Sequence, residues 1–259
     1  VAKRTGIQWC DHTFSPWWGC VKVSEGCNGC YAQALDHRLG GEHWGPESER
    51  RFFGDKHWNE PRRWNLAASK AGVRRRVFCS SMADVFERRP DLIAPRARLW
   101  RLIADTPYLD WLLLTKRPEN FDLLPWGSWP ASSEPWLNVW LGATAENQRR
   151  ADERIPRLIE TPAVMRFVSY EPALGPLRIH PAWMDTCSSG RLALHWLIAG
   201  SESGPGARDA NLDWYRDVRD QCARAGIAFF LKQHARRGIK IPLPELDGRR
   251  HVAFPEARP

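Results

Sequence analysis

The sequence has no apolar run approaching the roughly 18 residues that a membrane-spanning helix needs. Its first residues, VAKRTGIQWCDH, lack the apolar stretch of a signal peptide. Both absences point to a cytoplasmic protein without a membrane partner, where thiols stay reduced. Seven cysteines then read as metal ligands or buried small residues and not as a disulfide framework. There is no internal repeat and no low-complexity tract. Lysine is scarce, since 31 of the 38 basic residues are Arg. The Gly-rich stretch GSESGPGAR exposes backbone N–H groups as a phosphate cradle does, but it lacks the G-x-x-x-x-G-K-[ST] spacing of a P-loop. Only one C-x2-C pair is present, so the two paired knuckles of a closed zinc site are missing as well.

What is present is an ordinary globular composition over 259 residues, 43% hydrophobic and 26% charged, with a formal charge of +8. The Arg excess permits a polyanionic partner, through bidentate contact with phosphate or carboxylate. It equally fits an Arg-rich composition spread over solvated faces. The 15 Trp residues include candidates for stacking on bases, although core packing accounts for most of them.

Short apolar runs rich in β-branched and aromatic residues mark strands at Val77–Ser80, Trp111–Thr115, Val139–Ala143, Arg166–Tyr170, Trp196–Ala199 and Ala228–Lys232. The GIQW segment near residue 7 is a candidate first strand. Helical patterns fall between them at Asp91–Ala104, Glu146–Ile159 and Leu212–Ala225, the last capped by Asn211 and stopped at Gly226. Strands alternating with helices imply parallel βαβ units, in a doubly wound sheet or a barrel. Residues 40–72 and 173–194 read as loop insertions, 236–259 as a polar tail, and 1–235 as one domain.

Each apolar run ends in polar residues: Ser80, Ser81 and Asp84; Thr115, Lys116 and Arg117; Thr144, Glu146 and Asn147; Ser169 and Glu171; Ser201 and Glu202; Lys232 and Gln233. In parallel α/β folds the active site lies beyond the carboxyl ends of the strands. Glu171 and Glu202 suit hydrogen bonds from a ribose or an amino group. Lys116, Arg117 and Lys232 suit a carboxylate or phosphate.

Cys20-x6-Cys27-x2-Cys30 lies in the first βα loop, at the same end as these residues. Three readings stand side by side. Cys10 or His12 completes a zinc site that stabilises a nucleic-acid-binding protein. The thiols are structural, and Asp84, Glu171 and Glu202 bind a divalent metal in a nuclease or hydrolase. Or three thiolates hold a [4Fe–4S] cluster whose fourth iron is open to a cofactor. Cys79, Cys187 and Cys222 read as buried or incidental.

The segments GIQWCDHTFSPWWGCVKVSEGCNGCYA, VFCSSMADVF, LLLTKRPEN, VWLGATAENQ, FVSYEPALGPL, WLIAGSESGPGAR and FFLKQ resemble a phage- and actinobacteria-associated family of undefined function with a three-Cys motif, similar to the radical SAM superfamily. The resemblance covers about residues 6 to 235. It implies a partial TIM-type (β/α)6 barrel of parallel strands, a [4Fe–4S] cluster on Cys20, Cys27 and Cys30, and S-adenosylmethionine as a second cofactor. It further implies an electron donor of flavodoxin or ferredoxin type and a radical reaction, on a substrate such as a nucleotide or nucleic acid. By position in such a barrel, Ser80, Ser81 and Asp84 contact the methionine amino group. Thr115, Lys116, Thr144, Glu146 and Ser169 contact its carboxylate and ribose, and Glu171, Glu202, Lys232 and Gln233 face the substrate. The loop departs from the usual C-x3-C-x2-C in its first gap of six residues. Gly29 also stands where an aromatic precedes the last Cys, with Tyr31 following it instead.

Overall fold

The apolar runs form a largely parallel sheet. In the computed structural model, residues 5–125, 135–184, 193–203, 206–209, 211–236 and 239–256 are described. In chain order the elements are β1 (His12–Thr13), β2 (Trp17–Trp18), α1 (Tyr31–Arg38), β3 (Arg51–Phe52), α2 (Asp55–Trp58), α3 (Glu60–Lys70), β4 (Arg75–Cys79), α4 (Ile93–Ala104), β5 (Leu109–Thr115) and β6 (Val139–Thr144). They continue with α5 (Gln148–Glu160), β7 (Met165–Tyr170), α6 (Pro181–Met184), β8 (Trp196–Gly200), α7 (Leu212–Ala225), β9 (Ala228–Arg236), β10 (Ile239–Pro242), β11 (Glu245–Leu246) and β12 (Arg249–Arg250). The eight-stranded sheet has the order β1-β4-β5-β6-β7-β8-β9-β10. Pairs β1–β4, β4–β5, β7–β8 and β8–β9 are parallel, and β10 closes the edge antiparallel to β9.

The chain divides into two compact units, one of Val1–Val23, Cys30–Leu141 and Pro162–Val164, the other of Ser24–Gly29, Gly142–Thr161 and Met165–Pro259. In the first unit, Val77, Trp111, Leu112 and Leu113 are completely buried, and the Trp111 indole N–H donates to Thr106 Oγ1 at 3.0 Å. Such a ring is stable in a core only because its one polar atom finds an acceptor. In the second unit every residue of β7 and β8 is buried, as a sheet covered on both faces requires. Gly142 has no side chain because the Phe167 ring fills the space a Cβ would take. Helix α7 starts and stops where the sequence indicates. Asn211 Oδ1 accepts from the Asp213 N–H at 2.9 Å, and Gly226 ends the helix in the left-handed region at φ 69°.

Five expectations need correction. The first strand is His12–Thr13 and not GIQW, because the chain turns over Ile7–Cys10, with the Cys10 N–H directed to the Ile7 carbonyl at 3.4 Å. Residues 40–72 are no plain loop: they hold β3, which pairs with β2, and helices α2 and α3, where Pro61 occupies the first turn and Trp58 and Ala68 are buried. The segment from Ile239 is also sheet. Residues Asp247 and Gly248, both at positive φ (57° and 77°), form the two-residue turn that joins β11 to β12. The Trp196 indole then donates to the Ala253 carbonyl at 3.0 Å. Helix α5 begins at Gln148, two residues after Glu146, since Asn147 Oδ1 caps it by accepting from the Arg150 N–H at 3.1 Å. Within the expected insertion 173–194, Pro181–Met184 is a helix, and Cys187 lies outside the described residues.

Candidate functional site

In the first unit, the loop after β4 and the end of β5 converge on Asp84. Thr115 Oγ1 donates to both Asp84 oxygens, at 2.7 and 2.9 Å, and the Lys116 N–H (3.1 Å) and Phe86 N–H (3.0 Å) donate to the same carboxylate. Arg117 Nη1 donates to Asp84 Oδ2 at 3.0 Å and lies 3.5 Å from Cys20 Sγ, while Nη2 donates to the Val21 carbonyl at 2.7 Å. Burial pushes the Cys20 thiol up to about 12, against the opposing pull of Arg117. Ser80 Oγ donates to Ser15 Oγ (3.2 Å), and the Ser81 carbonyl accepts from the Tyr31 hydroxyl (2.9 Å). Cys30 stands at the N-cap of α1. Asp84, Thr115, Arg117 and Cys20 are thus brought together. Lys116 joins them through its backbone.

In the second unit, the Ser24–Gly29 segment meets two buried acids. Ser24 donates to Glu146 Oε1 and sits 3.9 Å (Oγ to Sγ) from Cys27. Glu146, completely buried, also receives Arg154 Nη1 at 2.7 Å, and the same guanidinium nitrogen donates to the Thr144 carbonyl at 2.8 Å. A Cβ on Gly26 would stand 2.9 Å from the Glu146 carboxylate, and one on Gly29 would stand 2.7 Å from Glu202 Oε1. Arg208 binds both oxygens of Glu202, and its hydrogen bonds hold that carboxyl below the usual range. Hydrogen bonds from Arg150 first, then from a backbone N–H and from Asn147, hold Glu25 down at about 2. The carboxylates of Glu146 and Glu202 therefore pack against the Ser24–Gly29 segment.

A second cluster in this unit joins Glu171, just after β7, to Lys232 and Gln233, which lie in the middle of β9 and not at its end as the sequence suggests. Lys232 Nζ donates to Glu171 Oε1 at 2.5 Å, and Gln233 Nε2 donates to the same oxygen (3.3 Å) and to the Ser201 carbonyl (2.9 Å). The Gln233 amide oxygen is buried without a hydrogen-bond partner. The Ser169 carbonyl accepts from the Ala145 N–H at 2.9 Å. Of GSESGPGAR, Gly204 and Pro205 lie outside the described residues.

Sequence reasoning missed Ser24, Arg154 and Arg208 as partners of these acids. The available signal was the long first gap between cysteines, which needs side chains elsewhere to hold it.

Cys20, Cys27 and Cys30 are all free thiols. Among the described residues, no three His, Cys, Asp or Glu side chains are gathered as a ready metal site. The donor set nevertheless fits an iron–sulfur cluster, with three soft ligands on one Gly-containing loop and a guanidinium beside one sulfur. Among the described residues no helix is long and apolar enough to cross a membrane.

No curated protein sequence matches the chain. Among solved structures, a variant of spore photoproduct lyase is similar with a TM-score of 0.51 at 12% identity, over 92% of this chain and 69% of that one. A second variant of the same lyase gives a TM-score of 0.49 at 14% identity with the same coverage. The first similarity shows the fold alone: a partial TIM-type barrel like that of spore photoproduct lyase. A family model described as "Protein of unknown function (DUF5131)" matches residues 4–255, and the chain belongs to that family.

Proposed function

We propose that the protein is a radical SAM-like iron–sulfur enzyme in which Cys20, Cys27 and Cys30 hold a [4Fe–4S] cluster and S-adenosylmethionine occupies the open iron. When bound, the pair would supply one-electron reductive cleavage of a carbon–sulfur bond, with electrons from a flavodoxin- or ferredoxin-type donor. The observation that carries this reading is a loop of three free thiols following the first strand of a fold shared with spore photoproduct lyase.

The chain's own residues divide the work. Glu146 with Arg154, and Glu202 with Arg208, hold the loop that bears Cys27. Arg117 holds the Cys20 side. Asp84 has its oxygens engaged by Thr115, Lys116 and Arg117, so it orders the loop around Cys20 and leaves the methionine amino group to Ser80, Ser81 and nearby carbonyls. Glu171, Lys232 and Gln233 are left to face substrate, with Lys232 as a proton donor or an anion contact and Glu171 as an acceptor. A nucleotide or nucleic-acid substrate suits the charge of +8.

Anaerobic reconstitution with iron and sulfide tests the reading. The expected result is about four irons per chain with broad visible absorption, as such a cluster contains, and its loss when all three cysteines are replaced by Ala. Uptake that survives the triple replacement, or zinc in place of iron after anaerobic purification, overturns it.

A further inference from the structure

We infer that Arg117 is a positioning and charge-compensating residue for Cys20, tuning the reduction potential of the iron that this sulfur would hold. The inference rests on the proposed function. Its basis is the fork of the guanidinium. Nη1 is shared between Asp84 Oδ2 at 3.0 Å and Cys20 Sγ at 3.5 Å, and Nη2 ties the next residue's backbone, the Val21 carbonyl, at 2.7 Å. One planar group therefore fixes a proposed ligand both through its sulfur and through the peptide that follows it. Lys carries a single ammonium and cannot span these three acceptors in the same plane.

The surroundings make this contact consequential. The Arg117 and Asp84 side chains are 8% and 9% exposed, so their charges are poorly screened by water. Thr115 Oγ1 and the N–H groups of Phe86 and Lys116 immobilise Asp84, which in turn fixes the direction of Arg117. The neighbouring Glu87 is separately neutralised by Arg50 at 2.6 Å. Asp84 and Arg117 cancel each other, and the remaining asymmetry is a guanidinium N–H aimed at sulfur. Hydrogen bonds to ligand sulfurs and nearby positive charge both favour the reduced, more negative state of an iron–sulfur cluster, and so raise its potential. Asp84 acts with the opposite sign.

Opposite signs give the test. The full chain is reconstituted as wild type, as Asp84→Asn, as Arg117→Lys and as the double variant Asp84→Asn/Arg117→Met. The double variant removes both buried charges together and avoids stranding one of them. Iron per chain, thermal melting and the midpoint potential from an EPR-monitored redox titration are measured for each. Asp84→Asn is expected to shift the midpoint upward, the double variant to shift it below the wild type, and Arg117→Lys to fall between the double variant and the wild type. A residue that only supports the fold gives no such pair of opposed shifts. If a variant melts as the wild type does but loses its iron, Cys20→Ala decides: iron lost there too supports positioning through Cys20, and iron retained there overturns it. Equal midpoints in fully loaded variants overturn the inference while leaving the proposed function standing. A wild-type chain that takes up no cluster overturns both.

Discussion

Glu146 shows how a single buried acid can serve a loop several elements away in sequence. Its carboxylate is completely buried and is compensated by Arg154, which is 6% exposed, and by the Ser24 hydroxyl. Removing one partner of such a pair strands the other charge, at a cost of about 3 kcal/mol. Glu146→Gln is therefore expected to lower the urea-unfolding free energy by about that amount. Adding Arg154→Met to it should cost less than the two single changes summed, because the second change removes the stranded charge. Gly26→Ala attacks the same contact from the loop side. Its Cβ would stand 2.9 Å from the Glu146 carboxylate, which is overpacking of about 1–3 kcal/mol. Glu202 adds a pH dependence whose sign is fixed. Hydrogen bonds from Arg208 lower its carboxyl in the folded state, so the pairing stabilises the fold above the ordinary carboxylate range and is lost as pH falls through the depressed value. Urea midpoints measured on acidification should fall more steeply in the wild type than in Arg208→Met. Equal slopes would remove Arg208 from this role.

At the scale of elements, the segment after β9 is expected to be an integral part of the second unit. β10 pairs with β9 over four residues, the Leu231 N–H donates to the His251 carbonyl at 2.8 Å, and Trp196 binds the Ala253 carbonyl. Phe254 lies against Trp196 and Phe230 with ring centroids 5.2 and 5.4 Å apart. Truncation after residue 238 strands the Trp196 indole N–H and uncovers the outer face of Phe230, so the melting temperature should drop by several degrees, the scale expected for a loss of about 1–2 kcal/mol. An unchanged melting curve would make the segment an appendage. This part of the fold was illegible in sequence for a physical reason. Strands of two to four residues are too short for a period to stand out, even where β10 reads Ile-Lys-Ile-Pro, and the Asp247–Gly248 turn was the stronger local signal. Residues 40–72 were hidden differently, because α3 buries only Pro61 and Ala68 and so presents almost no apolar stripe. The long parallel strands were legible to within two residues over most of their ends, since burial on both faces leaves an uninterrupted apolar run. Helix α7 was legible to the residue because Asn211 and Gly226 act locally. The polar strand ends were legible as positions but not as partnerships. Nothing in the spacing of Glu146 and Ser24 shows that they meet.

For the whole molecule, charge sets the remaining expectation. Many of the arginines are spent in ion pairs, such as Arg62–Asp105, Arg88–Asp122, Arg98–Asp55, Arg216–Asp213 and Arg219–Asp220. Each pair cancels one charge of each sign, so pairing leaves the excess of 38 basic over 30 acidic residues intact at +8. If a nucleic acid is the substrate, that excess is what meets the phosphates, and binding must release counterions in proportion to the phosphates neutralised. The slope of log K against log salt then counts the phosphates contacted, at about −0.9 for each on duplex and about −0.7 for each on a single strand. Fluorescence anisotropy with labelled single-stranded and duplex oligonucleotides across a salt series measures both slopes. A polyanionic substrate predicts a clear negative slope that the triple cysteine replacement leaves unchanged, because electrostatic attraction does not pass through the metal site. A flat response would exclude a polymer and direct the search to a single nucleotide or another small molecule, for which the Glu171, Lys232 and Gln233 cluster supplies the polar contacts.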